Sequence, residues 1–302
     1  MENSGYPFVR VTDKNIEKLS PFFRLYAYGI CDNTIGAVYQ WRDIYESYFR
    51  IINRTLCIRA GYGIYGDCYT VPIGCGDFEQ AFSAIENDAK LLGIPLKYCV
   101  VPEEALPLLE KRYGERMQKE SIRDWADYVY DAEAFRNYSG KALHTQKNHV
   151  NRFYRDNPDA ACVLINDGET EQKAYAFLEE YALQHPESSE LEQNELNGAR
   201  ELLANRERLG QTAAGLLCDG KIVALSIGEV KRGTLYVHVE KARTDVSGAY
   251  PAMAQAFVRL FPEVETVNRE DDGGDAGLRY SKMQYKPKKL LEKYLIKIDF
   301  GG

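Results

Sequence analysis

Three residues spaced two apart, Tyr236, His238 and Glu240, put a phenol, an imidazole and a carboxylate on one side of a regular β-strand. Leu235, Val237 and Val239 then take the other side. A carboxylate and an imidazole that share a strand face can share a site. Either is suited to take a proton from an attacking nucleophile if that face lines a cleft. The solvated face of an antiparallel sheet accommodates the same three residues, so the strand alone does not assign the role.

Three further stretches carry charge. Residues 137–155 hold Lys141, Lys147, Arg152 and Arg155 and no acid. The run 268–275, NREDDGGD, holds four acids, one Arg and two consecutive glycines. Residues 279–297 hold seven Lys or Arg, among them Arg279 and Lys282, against the single acid Glu292. The net charge of the whole chain is −7, which excludes coating of nucleic acid by bulk charge but not a local basic patch. Gathered at one cleft beside Glu240, Lys141, Lys147, Arg152, Arg279 and Lys282 would form a cationic mouth for a phosphate-bearing ligand.

The seven cysteines are an odd number with no C-x-x-C pair, and none of the four histidines stands near a Cys in zinc-ligand spacing. NREDDGGD is not a calcium-loop pattern. The expectation is reduced, mostly buried thiols, no disulfide and no metal. The start, MENSGYPFVR, lacks the layout of a secretory signal, and no apolar run reaches the ~18 residues of a membrane span. A cytoplasmic location follows as the expectation.

The elements that must position these residues are most legible over 211–268. Three β-rich runs are separated by Asp219-Gly220 and by Lys231-Arg232-Gly233, and Asp-Gly between apolar runs is a hairpin signal. Met253, Phe257, Leu260 and Phe261 then recur at helical spacing, with Pro251 suited to the first turn. The run ETVN closes a β-β-β-α-β unit. The first half reads in the same order: strands GAVYQW, IYESYFRI, TLCIRA and YTVPI, then a helix capped by Asp77 and ended by Gly93, then the strand PLKYCVV. The fold class expected is mixed α/β (α+β), with domains over 1–130 and 131–302.

A meander, a helix, and an acid on the strand before that helix resemble the acyl-CoA N-acyltransferase (GNAT) architecture. The pyrophosphate loop of that superfamily is degraded here to ARTDVSGAYP. Taken in order, GKALHTQKNHVNRF, HVEKARTDVSGAYPAMAQAF and VNREDDGGDAGLRYSKMQYKPKKLLEKY resemble a bacterial family grouped with the C-terminal catalytic domain of phosphatidylglycerol lysyltransferases. The resemblance implies two tandem GNAT-like domains, each a mostly antiparallel sheet flanked by helices. It also implies an acyl or aminoacyl transferase whose co-substrate is aminoacyl-tRNA or an acyl-CoA, with no further cofactor. The candidate catalytic residues are Glu240 and His238. Tyr236, Lys141, Lys147, Arg152, Asn268, Arg269, Arg279, Lys282 and Tyr285 are the candidates for binding substrate. Two other readings stand beside this one: a non-catalytic binding protein on the same fold, and an acetyl-CoA transferase with an atypical loop. A peripheral membrane contact is compatible with all three.

Overall fold

A computed structural model describes residues 7–26, 28–186 and 189–300. Along the chain run β1 (Val9–Arg10), α1 (Ser20–Tyr26), α2 (Ile35–Trp41), β2 (Tyr48–Ile52), β3 (Thr55–Gly61), β4 (Asp67–Tyr69) and β5 (Ile73–Gly74). Next come α3 (Phe78–Leu92), β6 (Lys97–Pro102), α4 (Leu106–Tyr113), β7 (Met117–Ser121), β8 (Asp127–Asp131), α5 (Ala132–Asn137), α6 (His144–Asp156) and β9 (Ala161–Leu164). Then follow α7 (Gly168–Gln184), α8 (Glu190–Ala204), β10 (Thr212–Cys218), β11 (Lys221–Lys231), β12 (Thr234–Ala242), α9 (Ala249–Arg259) and β13 (Thr266–Asn268). The last elements are α10 (Ala276–Gln284), β14 (Lys289–Leu291) and β15 (Lys293–Ile298). The fold is mixed α/β, with two sheets among the described residues.

The two sheets repeat one order. The first runs β1-β2-β3-β4-β6-β15-β7, with β5 beside β3, and its β4–β6 pair is parallel. The second runs β9-β10-β11-β12-β13-β8-β14, and its β12–β13 pair is parallel. In each, a meander crosses through a helix, α3 or α9, to a strand parallel to the last one of the meander. The crossovers obey the local signals. Asp77 caps α3 by accepting from the Glu79 and Gln80 N–H groups, and Gly93 ends it at φ 66°. Asp219 and Gly220 both take positive φ, as a two-residue type I′ hairpin requires.

The compact units are Met1–Ala126 with Leu291–Gly302, and Asp127–Leu290. Where the sequence put 131–302 in one domain, β15 instead enters the first sheet between β6 and β7. The reason lies in its pattern. Tyr294, Ile296 and Ile298 alternate into a core with Phe82, Ile85, Tyr98 and Leu109, while Lys293 is itself buried and paired with Asp32 at 2.5 Å. The last part of the basic stretch 279–297 is thus a core strand. Two more expectations change. GAVYQW is helical in α2, where Thr34 accepts from the Ala37 N–H as a cap. Cys68 and Cys99, on the adjacent strands β4 and β6, form a disulfide, against the expectation of free thiols throughout.

In the second unit α5, α6 and α9 cover one face of the sheet. Leu235, Val237 and Ala242 of β12 meet Phe135, Phe153, Met253 and Phe257 there. Helices α7 and α8 pack on β11 from the other side.

Candidate active site

Val237 and Ala242 lie in one core although they are five residues apart, an odd spacing that unbroken alternation forbids. The break is a β-bulge. Ile227 pairs with Val239 and Gly228 with Val237, so His238 has no partner on β11. The bulge sits against the only kind of residue it can. A Cβ on Gly228 would lie 2.2 Å from the Tyr236 carbonyl oxygen. Its consequence corrects the strand reading: the phase of β12 turns over, and His238 and Glu240 do not share a sheet face.

The bulge coincides with a second irregularity. β12 and β13 are paired only over Thr234–Tyr236 and Thr266–Asn268, after which β12 runs on alone to Ala242. Charged side chains close the gap between the parting strands. His238, with a fully buried side chain, has Nδ1 2.7 Å from Glu270 Oε1 and Nε2 3.1 Å from Glu229 Oε1. Glu240 Oε1 accepts from Arg269 Nη2 at 2.5 Å. The Arg269 guanidinium lies 4.5 Å over the Tyr285 ring and within 6 Å of those of Tyr130 and Phe135. Its Nη1 is buried with no hydrogen-bond partner among the described residues.

The segment bearing these partners is held from below. Asn268 bonds Asp127 through its amide nitrogen at 2.7 Å and accepts the Glu270 N–H at 2.8 Å. Glu270 sits at φ 59°, a left-handed conformation that costs a non-glycine residue of order 1–3 kcal/mol and persists only where surroundings fix it. Tyr128 N–H donates to the Glu270 carbonyl and the Tyr128 carbonyl accepts from Arg269 N–H, both at 3.0 Å. Lys282 is buried, with Nζ on the carbonyls of Arg269 and Asp271. Arg279 grips both oxygens of the buried Asp272, at 2.9 and 2.7 Å. Burial would raise the Asp272 carboxyl. Arg279, the Tyr128 hydroxyl and the Gly274 N–H overcome it and hold the group down at about 2.

The structure therefore gathers His238, Glu240, Asn268, Arg269 and Tyr285, with Tyr236 adjoining under the Lys231 ammonium at 4.9 Å. It does not make Lys282 and Arg279 part of a cationic mouth, because both are committed to the acidic segment. Lys141 and Lys147 are exposed and form no ion pair among the described residues, and Arg152 pairs with Asp156 one turn on. Sequence reasoning missed Glu229 and Glu270. The signal for both was Gly228, a glycine inside an otherwise strong strand.

Burial alone would lower the His238 imidazole. Its bonds to Glu229 and Glu270 reverse that and raise it from 6.5 to about 9, so it is a cation at neutral pH. A raised group stabilises the fold fully below its unfolded value and loses that contribution as pH climbs through the folded one. The interval from 6.5 to about 9 corresponds to about 3 kcal/mol for this fully buried group. Denaturant unfolding at pH 6 and pH 10 should show a loss of that order that His238→Gln largely removes. An equal loss in the variant would move the titration elsewhere.

At the N-terminus of α9 the loop ARTDVSGAYP is closed off. Gly248 caps the helix at φ 80°, and a Cβ there would meet the His149 carbonyl oxygen of α6 at 2.4 Å. Arg243, in the same loop, is neutralised by Glu180 at 3.2 Å and Asp245 at 2.7 Å.

Fold and site together define a mixed α/β protein with a buried charged network where two parallel strands part. Residues 23–297 match the family described as "Phosphatidylglycerol lysyltransferase, C-terminal", and the chain belongs to that family. A conserved protein of unknown function from Bacteroides thetaiotaomicron VPI-5482 is 29% identical, with a TM-score of 0.89 over 98% of this chain and 100% of that one. L-PGS from Bacillus licheniformis is similar in fold, with a TM-score of 0.67 at 16% identity over 99% of this chain and 95% of that one. The uncharacterized protein MYCGA3080 of Mycoplasmoides gallisepticum is 24% identical over 173 residues. That match covers 57% of this chain and 56%, about half, of that curated relative's length. Among the described residues no helix is long and apolar enough to cross a membrane.

Proposed function

We propose that the chain is an acyl or aminoacyl transferase built on two tandem GNAT-like units, with the chemistry in Asp127–Leu290. The donor is a phosphate-bearing ester such as aminoacyl-tRNA, and the acceptor offers an amine or hydroxyl, the headgroup hydroxyl of phosphatidylglycerol being the candidate that the family description supplies. One observation carries the reading: at the strand parting, a carboxylate and an unsatisfied buried N–H donor stand side by side. Glu240 Oε2 has no hydrogen-bond partner among the described residues, and Arg269 Nη1 is buried without one. In this mechanism the acceptor N–H or O–H gives its proton to Glu240 as its heteroatom bonds the donor carbonyl carbon. Arg269 Nη1 donates to the oxyanion that forms. The ester C–O bond then breaks, and the donor hydroxyl takes the proton back from Glu240. His238, already charged, orients Glu270 and is not the base. Lys141 and Lys147 supply exposed cationic surface for the donor.

The covered α9 terminus and the neutralised Arg243 weigh against acetyl-CoA held by the usual loop. The engagement of His238 and Glu240 in buried pairs favours the binding-protein reading to the same extent that it constrains catalysis. Labelled aminoacyl-tRNA with phosphatidylglycerol vesicles, run beside labelled acetyl-CoA, separates the three. Label should pass from the tRNA to lipid, less efficiently as salt rises. Label moved only from acetyl-CoA would establish the CoA reading. Binding of tRNA without transfer or deacylation would establish the binding protein.

A further inference from the structure

On the α7–α8 side of the second sheet lies a cavity of about 310 Å³, within the range of small-ligand pockets. Its wall includes Tyr181 and His185 of the α7 end, Glu192, Asn197 and Arg200 of α8, and Lys241 of β12. Residues 192, 196 and 200 follow one another at intervals of four, so one stripe of α8 faces the space.

The charges on this wall do not cancel locally. Lys241 is taken by Glu195 at 2.9 Å and lies 5.6 Å over the Tyr181 ring. Glu192 is taken by the Ser189 N–H and hydroxyl at 2.7 and 2.8 Å. Among the described residues no carboxylate pairs with Arg200. It donates to Asn197 Oδ1 at 3.0 Å and to the Leu178 carbonyl at 3.4 Å, which leaves most of its five N–H groups unspent. A half-buried guanidinium without a counter-ion is suited to a carboxylate or phosphate, which it can grip through two parallel bonds.

His185 adds a second requirement. Its Nδ1 is 2.8 Å from the Tyr181 carbonyl, and a carbonyl only accepts, so Nδ1 carries the hydrogen. In the neutral ring Nε2 is then an acceptor. The ring is fixed by stacking on Tyr181 at 4.3 Å. A ligand of this wall needs an anionic group for Arg200 and an N–H or O–H for His185.

We propose that the α7–α8 cavity binds a small molecule carrying both groups, its carboxylate or phosphate on Arg200 and its ammonium or hydroxyl on His185 Nε2. The binding stands apart from the transfer reaction, and a chain without transferase activity would still show it.

Calorimetry on the whole chain with L-alanine, with sn-glycerol 3-phosphate and with sulfate tests it. The first carries carboxylate and ammonium, the second phosphate and hydroxyl, the third an anion with no donor. One of the first two should bind with a Kd of about 1 mM or tighter, and sulfate about tenfold more weakly or worse. Arg200→Gln should weaken that binding by about tenfold or more, and His185→Phe should bring it to the level of sulfate. Ala182→Leu, which fills the cavity from α7 without altering charge, should abolish it and decides the matter should Arg200→Gln not fold. Absence of binding by both probes overturns the proposal, as does binding that survives Ala182→Leu.

Discussion

Glu240→Gln is expected to slow transfer by about 10²–10⁴-fold, the usual contribution of a positioned base. The substitution keeps the shape of the side chain and an oxygen for Arg269 Nη2, so the strand parting should survive it. What disappears is the ability to hold a proton in transit. Glu240→Asp retains the carboxylate one methylene short and should recover part of the rate. Donor binding, read separately, should stay within about twofold, because an interaction made only in the transition state leaves ground-state affinity alone. A rate unchanged in Glu240→Gln but lost in Glu270→Gln would transfer the role across the bulge.

Arg269→Met should destabilise the second unit by about 3–5 kcal/mol, since it strands the Glu240 carboxylate in a site with little water. For a unit of this size that is a fall in Tm of about 10 °C. The side chains at stake are only 10% and 12% exposed, so solvent screening offers little relief. Replacing both members, Arg269→Met with Glu240→Leu, should restore much of the loss, because an apolar pair of similar volume carries no desolvation cost. If the double variant is as unstable as the single one, the stacking of Arg269 on Tyr285 outweighs the ion pair.

Much of the second unit could be read from its residues because its signals are local. Asp219-Gly220 sets a hairpin, the spacing of Met253 and Phe257 sets a helix, and Pro251 fixes where that helix begins. Asn268 and Arg269 could also be singled out as candidates. Their partners could not, because the His238 bulge shifts the phase of β12 by one residue and a shift of one exchanges the two faces. Gly228 marked the place without stating the direction. Lys282 and Arg279 show a different limit. Charge runs look alike in sequence whether they face water or hold buried carbonyls and carboxylates, and only the fold separates the two. GAVYQW failed for a third reason: a seven-residue helix of β-branched and aromatic residues carries strand propensity, and packing overrode it.

The insertion of Lys293–Ile298 between β6 and β7 has a consequence for the order of synthesis. A ribosome has finished both β6 and β7, the latter at Ser121, well before it makes the strand that joins them, which begins at Lys293. Until then the nascent first unit holds two strand edges open, a state that invites pairing with other chains. The second unit, Asp127–Leu290, is contiguous and is complete earlier. The part of the chain made first is thus the part finished last, and a stop codon near residue 290 would damage the opposite end of the sequence.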